Sequence, residues 1–240
     1  MVVGLDAVEK GHEKPDSLNI SWNPTDPIAA ARRARRFVLE AVLVRVSEAL
    51  NQYVTAIANL PRFAVLQAKW DNEAKKKQVP SKAKKLEDLA NELGKSDCFL
   101  TAAACLLIHW RNRVVHRNSN AKLTGVQKKT IQNAGKLIEE KYASLSVDRL
   151  LNDFDKGNPT LKDITTLIAM TIRLVRQIDA TNNDVSKPDL DALMKHYGLD
   201  VKIEKIKLET SERKQTESII RLLETAAPGL VEPYKKFAPV

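Results

Sequence analysis

Between Pro27 and Leu60 the chain runs without a glycine and without a second proline. Ala, Leu, Arg and Glu dominate this stretch, and all four are good helix formers. Asp26 is suited to cap a helix here, and Pro27 suits its first position, where a missing N–H costs nothing. Pro61 ends it. A helix this long needs a broad apolar face to hold it to a core. Phe37, Val38, Ala41, Val42, Val44 and Val46 are expected to supply that face. A chain that commits so much length to one helix buries its apolar surface against other helices.

The rest of the pattern agrees. Residues 62–81 are mixed, with a lysine cluster at 75–77 and a break at Pro80. A second helix is expected over Lys82–Leu93, stopped by Gly94. Ser96 and Asp97 would open a third, carrying Phe99 through His116. A fourth runs from Thr124 or Gly125 to Tyr142, and a short fifth follows Ser146. Thr160 and Asp163 have the spacing of a capping box and open a sixth, to about Ala180. Lys187–Tyr197 is helical and ends at Gly198. Val201–Leu208 alternates like a strand pair or loop, and Ser211–Thr225 is a last helix. Only 8 Gly and 5% aromatics argue against a sandwich, barrel or Gly-rich nucleotide fold. The reading is all-α. Residues 1–26 form an irregular arm, 27–181 a helical bundle with a long first helix, and 182–240 a C-terminal helical extension or small subdomain.

The formal net charge is +9, which favours polyanionic partners. It is unevenly placed. Between Asp97 and Glu139 no acid occurs, while Arg111, Arg113, Arg117, Lys122, Lys128, Lys129 and Lys136 do. Between Asp26 and Glu40 there is again no acid, and Arg32, Arg33, Arg35 and Arg36 cluster there. Cations at a helix N-terminus oppose the macrodipole, and a bound anion or acidic partner relieves that. The lysines at 75–77 and 82–85 are read as a solvated face.

The sharpest local pattern is Arg111-Asn112-Arg113-Val114-Val115-His116. Requiring Asn after the Arg cuts chance matches in a chain of this composition from about 0.7 to about 0.04. The pattern resembles the R-N-x3-H form of the Rx4–6H motif of HEPN domains (higher eukaryotes and prokaryotes nucleotide-binding). That resemblance implies an all-α bundle and a metal-independent endoribonuclease acting as a homodimer. The products would be 2′,3′-cyclic phosphate and 5′-hydroxyl ends. It also implies a toxin or defence effector, with an antitoxin or regulatory protein as partner and no cofactor. HEPN toxins neutralised by nucleotidyl transfer carry Tyr two residues after the motif His; here that residue is Asn118.

The residues support this chemistry by themselves. Histidine takes or gives a proton near neutral pH, which suits His116 to general acid/base work. Arginine offers a fixed charge and a planar fork of donors matched to phosphate, which suits Arg111. Asn112 can orient imidazole or phosphate. Asn112 and His116 share a helix face, and His109 and Arg113 complete a polar stripe. Arg111 stands roughly 140° around the helix from His116, among apolar positions. There it needs a carboxylate, and Glu40 or Glu48 of the first helix could provide it. Arg113, Arg117, Lys122, Lys128, Lys129, Arg32 and Arg36 are the candidates for holding an RNA backbone. His109 is expected to pack or support the site from behind, and Trp110 to lie in the core.

Cys98 and Cys105 lack metal-site spacing, so zinc is not expected. No secretory leader or membrane span is read, which predicts a cytoplasmic protein without a membrane partner. The rival reading is a non-catalytic nucleotide- or protein-binding module. A DNA-binding helical protein is a third, without a clear recognition-helix turn to support it.

Overall fold

The computed structural model describes residues 25–95, 98–116, 119–182, 184–209 and 211–238. Among them the chain is helical throughout, with no strand. The helices are α1 (Pro27–Ala58), α2 (Ala64–Lys75), α3 (Lys82–Glu92), α4 (Phe99–Val115), α5 (Gly125–Asn133) and α6 (Gly135–Lys141). They continue with α7 (Val147–Asp155), α8 (Leu161–Asn182), α9 (Lys187–His196), α10 (Asp200–Glu209), α11 (Glu212–Ala226) and α12 (Val231–Phe237). Single 3-10 turns fill Pro61–Phe63 and Pro228–Leu230.

The architecture follows from α4. Every residue from Leu100 to Ile108 is buried, and so is Trp110. A helix apolar on all sides must be surrounded, and α4 packs against α8, α1, α3 and α5. Its polar end, Arg111 to Val114, is half-buried, and Val115 and His116 are exposed. The change of composition along one helix thus sets where the motif reaches solvent. The Tyr53 hydroxyl of α1 donates to Asp179 Oδ1 of α8 over 2.6 Å, tying together two of the helices that enclose α4.

The apolar residues fall into two clusters. The larger joins α1 through α8. The smaller is built from Val185 onward, with Leu190, Leu199, Ile203, Ile219 and Leu223 at its centre and Leu60 at its edge. Residues 1–24, most of the expected arm, lie outside the described residues, as do Ser96 and Asp97, the expected opening of α4. Cys98 occupies the N-cap position of that helix.

Local chemistry explains most boundaries. Asp26 Oδ1 accepts from the Ala29 N–H at the start of α1. The Thr160–Asp163 capping box forms as expected, with Thr160 N–H donating to Asp163 Oδ2 over 2.8 Å. Gly94 and Gly198 take φ +63° and +64° and end α3 and α9, a conformation open to glycine at no steric cost.

Four expectations are corrected. Residues 64–75 form a helix, because Leu66 and Trp70, four apart, both bury a side chain. The expected Thr124–Tyr142 helix is two helices that meet at Ala134, with φ −86° and ψ 4°. Residues 200–209 are helical instead of extended. Of their four alternating apolar residues only Ile203 is fully buried, while Val201 and Leu208 are 74% and 87% exposed, so strong helix formers such as Lys and Glu decide the local conformation. Finally, Phe37, Val38 and Ala41 do not face the core; Leu39, Leu43, Ser47, Leu50, Val54 and Ala58 do.

Asp88 is the main polar tie in the core. It accepts from Trp70 Nε1 at 3.0 Å and pairs with Lys69 and Lys84 at 3.0 and 2.7 Å. Burial works to raise its pKa, but these donors prevail and hold the carboxyl below its usual value. Such a carboxylate contributes stability above its unfolded pKa, and that contribution is lost as pH falls through the lower folded pKa. Asp88→Ala is expected to cost about 3 kcal/mol in urea unfolding at neutral pH. Below about pH 4 the difference between variant and wild type should shrink.

Candidate functional site at the end of the central helix

The last two turns of α4 carry the motif. Arg111 is only 15% exposed in its side chain and is held from two sides. Its Nη2 donates to Glu48 Oε1 on α1 over 2.9 Å, and its Nη1 donates to Asn112 Oδ1 over 3.1 Å. Glu48 is therefore the carboxylate that Arg111 requires. Glu40, the other candidate, accepts from Arg36 one turn earlier on its own helix, over 2.8 Å. Lys82, at the start of α3, also donates to Glu48. The hydrogen bond from Lys82, with the charges of Lys82 and Arg111, holds the Glu48 carboxyl below its usual value against the opposing effect of burial.

Asn112 turns its carbonyl toward the Arg111 guanidinium, so it orients the arginine within its own motif. His116 stands in the C-cap position with extended backbone, φ −114° and ψ 97°. Its N–H donates to Asn112 O over 2.9 Å, which keeps the last turn closed, and its imidazole side is open to solvent. The exposed imidazole and the held guanidinium thus share one helix end, five residues and roughly 140° apart on a regular helix, and the imidazole is free to do acid/base work there.

Arg113 does something else. Its Nε donates to Ala121 O over 2.8 Å and its Nη1 to Phe154 O over 2.7 Å. Its guanidinium lies 4.0 Å from the centre of the Phe154 ring, whose edge meets Trp110 at 5.6 Å. The expected role in gripping RNA gives way to a structural one: Arg113 fastens the loop after α4 and the end of α7 to the motif helix. His109 is mostly enclosed, and its Nδ1 is buried without a hydrogen-bond partner. Burial, and then the charge of Arg113, lower its pKa, so it packs behind the site as a neutral ring. Trp110 is fully buried, as its apolar neighbours imply.

The remaining cations divide. Arg36 and Glu40 line a cleft of about 550 Å³ with Trp110, Arg113, Val114 and Gly157. The arginine-rich start of α1 therefore borders the motif end of α4, with exposed Arg32 one turn further out. Lys122 is exposed in the loop that Arg113 holds. Lys128 and Lys129 are exposed on α5. That helix shares a cleft of about 240 Å³ with Thr101, Ala102 and Cys105, about 16 Å or more back along α4 from His116. The structure does not bring these two lysines to the motif. Arg117 lies outside the described residues.

Sequence reasoning missed Lys82, which shares Glu48 with Arg111. No local pattern could reveal a contact between positions 34 residues apart. Among the described residues no three His, Cys, Asp or Glu side chains gather as a metal site would require. No helix of theirs is long and apolar enough to cross a membrane. No protein-family model matches the chain, and neither a curated protein nor a solved structure shows significant similarity to it.

The Glu48–Arg111 pair bridges α1 and α4 in a half-buried setting. A double-mutant cycle with Glu48→Gln and Arg111→Lys, read by urea unfolding, is expected to give a coupling energy of about 1 kcal/mol. A cycle pairing Glu40→Gln with Arg111→Lys should give none.

Proposed function

We propose that this chain is a metal-independent endoribonuclease of HEPN type, working at the exposed end of α4. The observation that supports the reading is that one helix end carries both a mostly enclosed Arg111, held by Glu48 and Asn112, and an exposed His116. The motif resemblance supplies the toxin or defence setting, the homodimeric state and an antitoxin or regulatory partner.

In this mechanism the imidazole of His116 takes the proton of the RNA 2′-hydroxyl. The 2′-oxygen attacks the adjacent phosphorus, the P–O5′ bond breaks, and the leaving 5′-oxygen takes a proton from water, to which the imidazolium of His116 returns the one it took. The RNA is left with a 2′,3′-cyclic phosphate and a 5′-hydroxyl. Arg111 holds the charge that builds on the phosphate in transit, and its fixed geometry means little reorganisation at that moment. Asn112 keeps the guanidinium fork in place. Arg36, Arg32 and Lys122 border the motif end and attract the backbone, an attraction that weakens with salt.

Glu48 sets a condition on this scheme. Its carboxylate lies on the donor Nη2 that a phosphate oxygen would take. RNA must compete with it or use the remaining donors. The same pair favours the second reading, a module that binds nucleotide or protein through this end and cuts nothing.

Purified wild type should cleave RNA in EDTA. His116→Ala and Arg111→Ala should each lose about 10²-fold or more in rate, with unchanged helical circular dichroism. Equal cleavage by all three would remove the motif from the reaction. RNA binding without cleavage by the wild type would favour the binding module.

A further inference from the structure

Four helices end at one cleft. α1, α8, α9 and α11 close at Ala58, Asn182, His196 and Ala226, and residues from the ends of all four line a cavity of about 390 Å³. That volume falls in the range of small-molecule sites, about 300–1,000 Å³. The walls are apolar because the two clusters of the core meet here. Ile57 and Leu60 come from the end of α1, Leu193 and Leu230 from the C-terminal cluster, and Leu60 packs against both clusters. Ile57 lies about 25 Å along α1 from Glu40 at the motif end, so this cleft is separate from the site described above.

Its electrostatics run against those of the chain. The net charge is +9, yet among the described residues no lysine, arginine or histidine lines this cavity. Arg62 and Lys95 line a different cleft, with Gln177 and Asp184. Each helix end leaves carbonyls without an intrahelical donor and carries partial negative charge in its last turn. Four such ends converge here. Asp179 adds a full charge to the wall. The Tyr53 hydroxyl donates to its Oδ1 over 2.6 Å, which leaves Oδ2 open to a further donor.

Asn182, the last residue of α8, supplies an independent sign of a ligand. Both polar atoms of its side chain, Nδ2 and Oδ1, are buried without a hydrogen-bond partner among the described residues. An amide left unpaired in this way destabilises the fold, and a ligand that pairs it restores the loss on binding. Asp179 and Asn182 are three residues apart and share one face of α8. Tyr197, half exposed, brings an aromatic residue to the same cleft, and an aromatic face attracts cations.

We propose that this cleft binds a small organic ammonium ion with an apolar body and an oxygen close to the nitrogen, as in an aryl amino alcohol. The ammonium donates to Asp179 and to Asn182 Oδ1. Asn182 Nδ2 donates to the neighbouring oxygen. The apolar body lies against Leu60, Leu193 and Leu230. An anion of the same shape is repelled by the helix ends and the carboxylate. The site is argued from this cleft alone and stands whether or not the motif cuts RNA.

Amide NMR of the full chain tests it with three matched probes: phenylethanolamine, its neutral diol counterpart styrene glycol, and the anion mandelate. Phenylethanolamine should bind at least about tenfold more tightly than the diol, mandelate should not bind, and the shifted signals should include the Asn182 side-chain amide and Tyr197. Asp179→Asn keeps an acceptor for Tyr53 and should weaken the ammonium probe by about tenfold while leaving the diol unchanged. Asn182→Leu should weaken both probes and raise the urea midpoint, since it removes the unpaired amide. Absence of phenylethanolamine binding overturns the proposal, as does equal affinity for the three probes. Wild-type affinity in both variants, or shifts confined to residues away from this cleft, overturns it as well.

Discussion

The burial of α4 on all its sides governs what the other helices do. Ten of its seventeen residues are buried, and α1, α3, α5 and α8 take their places around it. A helix held that tightly is a rigid mount. The motif at its C-terminal end is then displayed with little freedom, which is what a site needs if its groups are to meet a phosphate in a fixed geometry. The apolar residues that bury α4 and the polar ones that end it are contiguous in sequence, so one helix both builds the core and carries the motif to the surface.

At that end, electrostatics divides three arginine and histidine side chains among different tasks. Arg111 is drawn inward by Glu48 and steadied by Asn112. Arg113 is drawn to two carbonyls and an aromatic face. His116 is left outside. The burial of Arg111 is tolerable because Glu48 neutralises it, and Glu48 in turn is held ionised by Lys82 and Arg111 together. A triad of this sort is costly to break and only modestly stabilising as a whole, so its value lies in fixing where one guanidinium points.

Much of this was legible in the sequence, for reasons of period and punctuation. The absence of Gly and Pro from Pro27 to Leu60 gave α1 its length, and the run Phe99–Trp110 gave α4 its burial. Asp26, Ser146 and the Thr160–Asp163 pair placed the starts of α1, α7 and α8 because their hydrogen bonds are local. What failed was non-local. The face that α1 buries could not be chosen among several apolar stripes, because the body covers only part of the helix and leaves Phe37 and Val38 outside. Residues 200–209 carried a strand-like alternation, yet few of those side chains meet anything, so helix propensity prevailed. At the site, Arg111's need for a carboxylate was readable from its position in an apolar arc. The choice of Glu48 over Glu40 depended on how far α1 slides along α4, and the internal role of Arg113 on where Ala121 and Phe154 fold back.

If RNA is cut at this helix end by attack of its own 2′-hydroxyl, as proposed, the new ends record it. The most direct measurement is the chemistry of the new ends that the wild-type protein leaves on a short RNA in EDTA. The proposed reaction leaves a 2′,3′-cyclic phosphate, with a 5′-hydroxyl on the other fragment. A 3′-hydroxyl with a 5′-phosphate would contradict it, because that product requires attack by water and a different site.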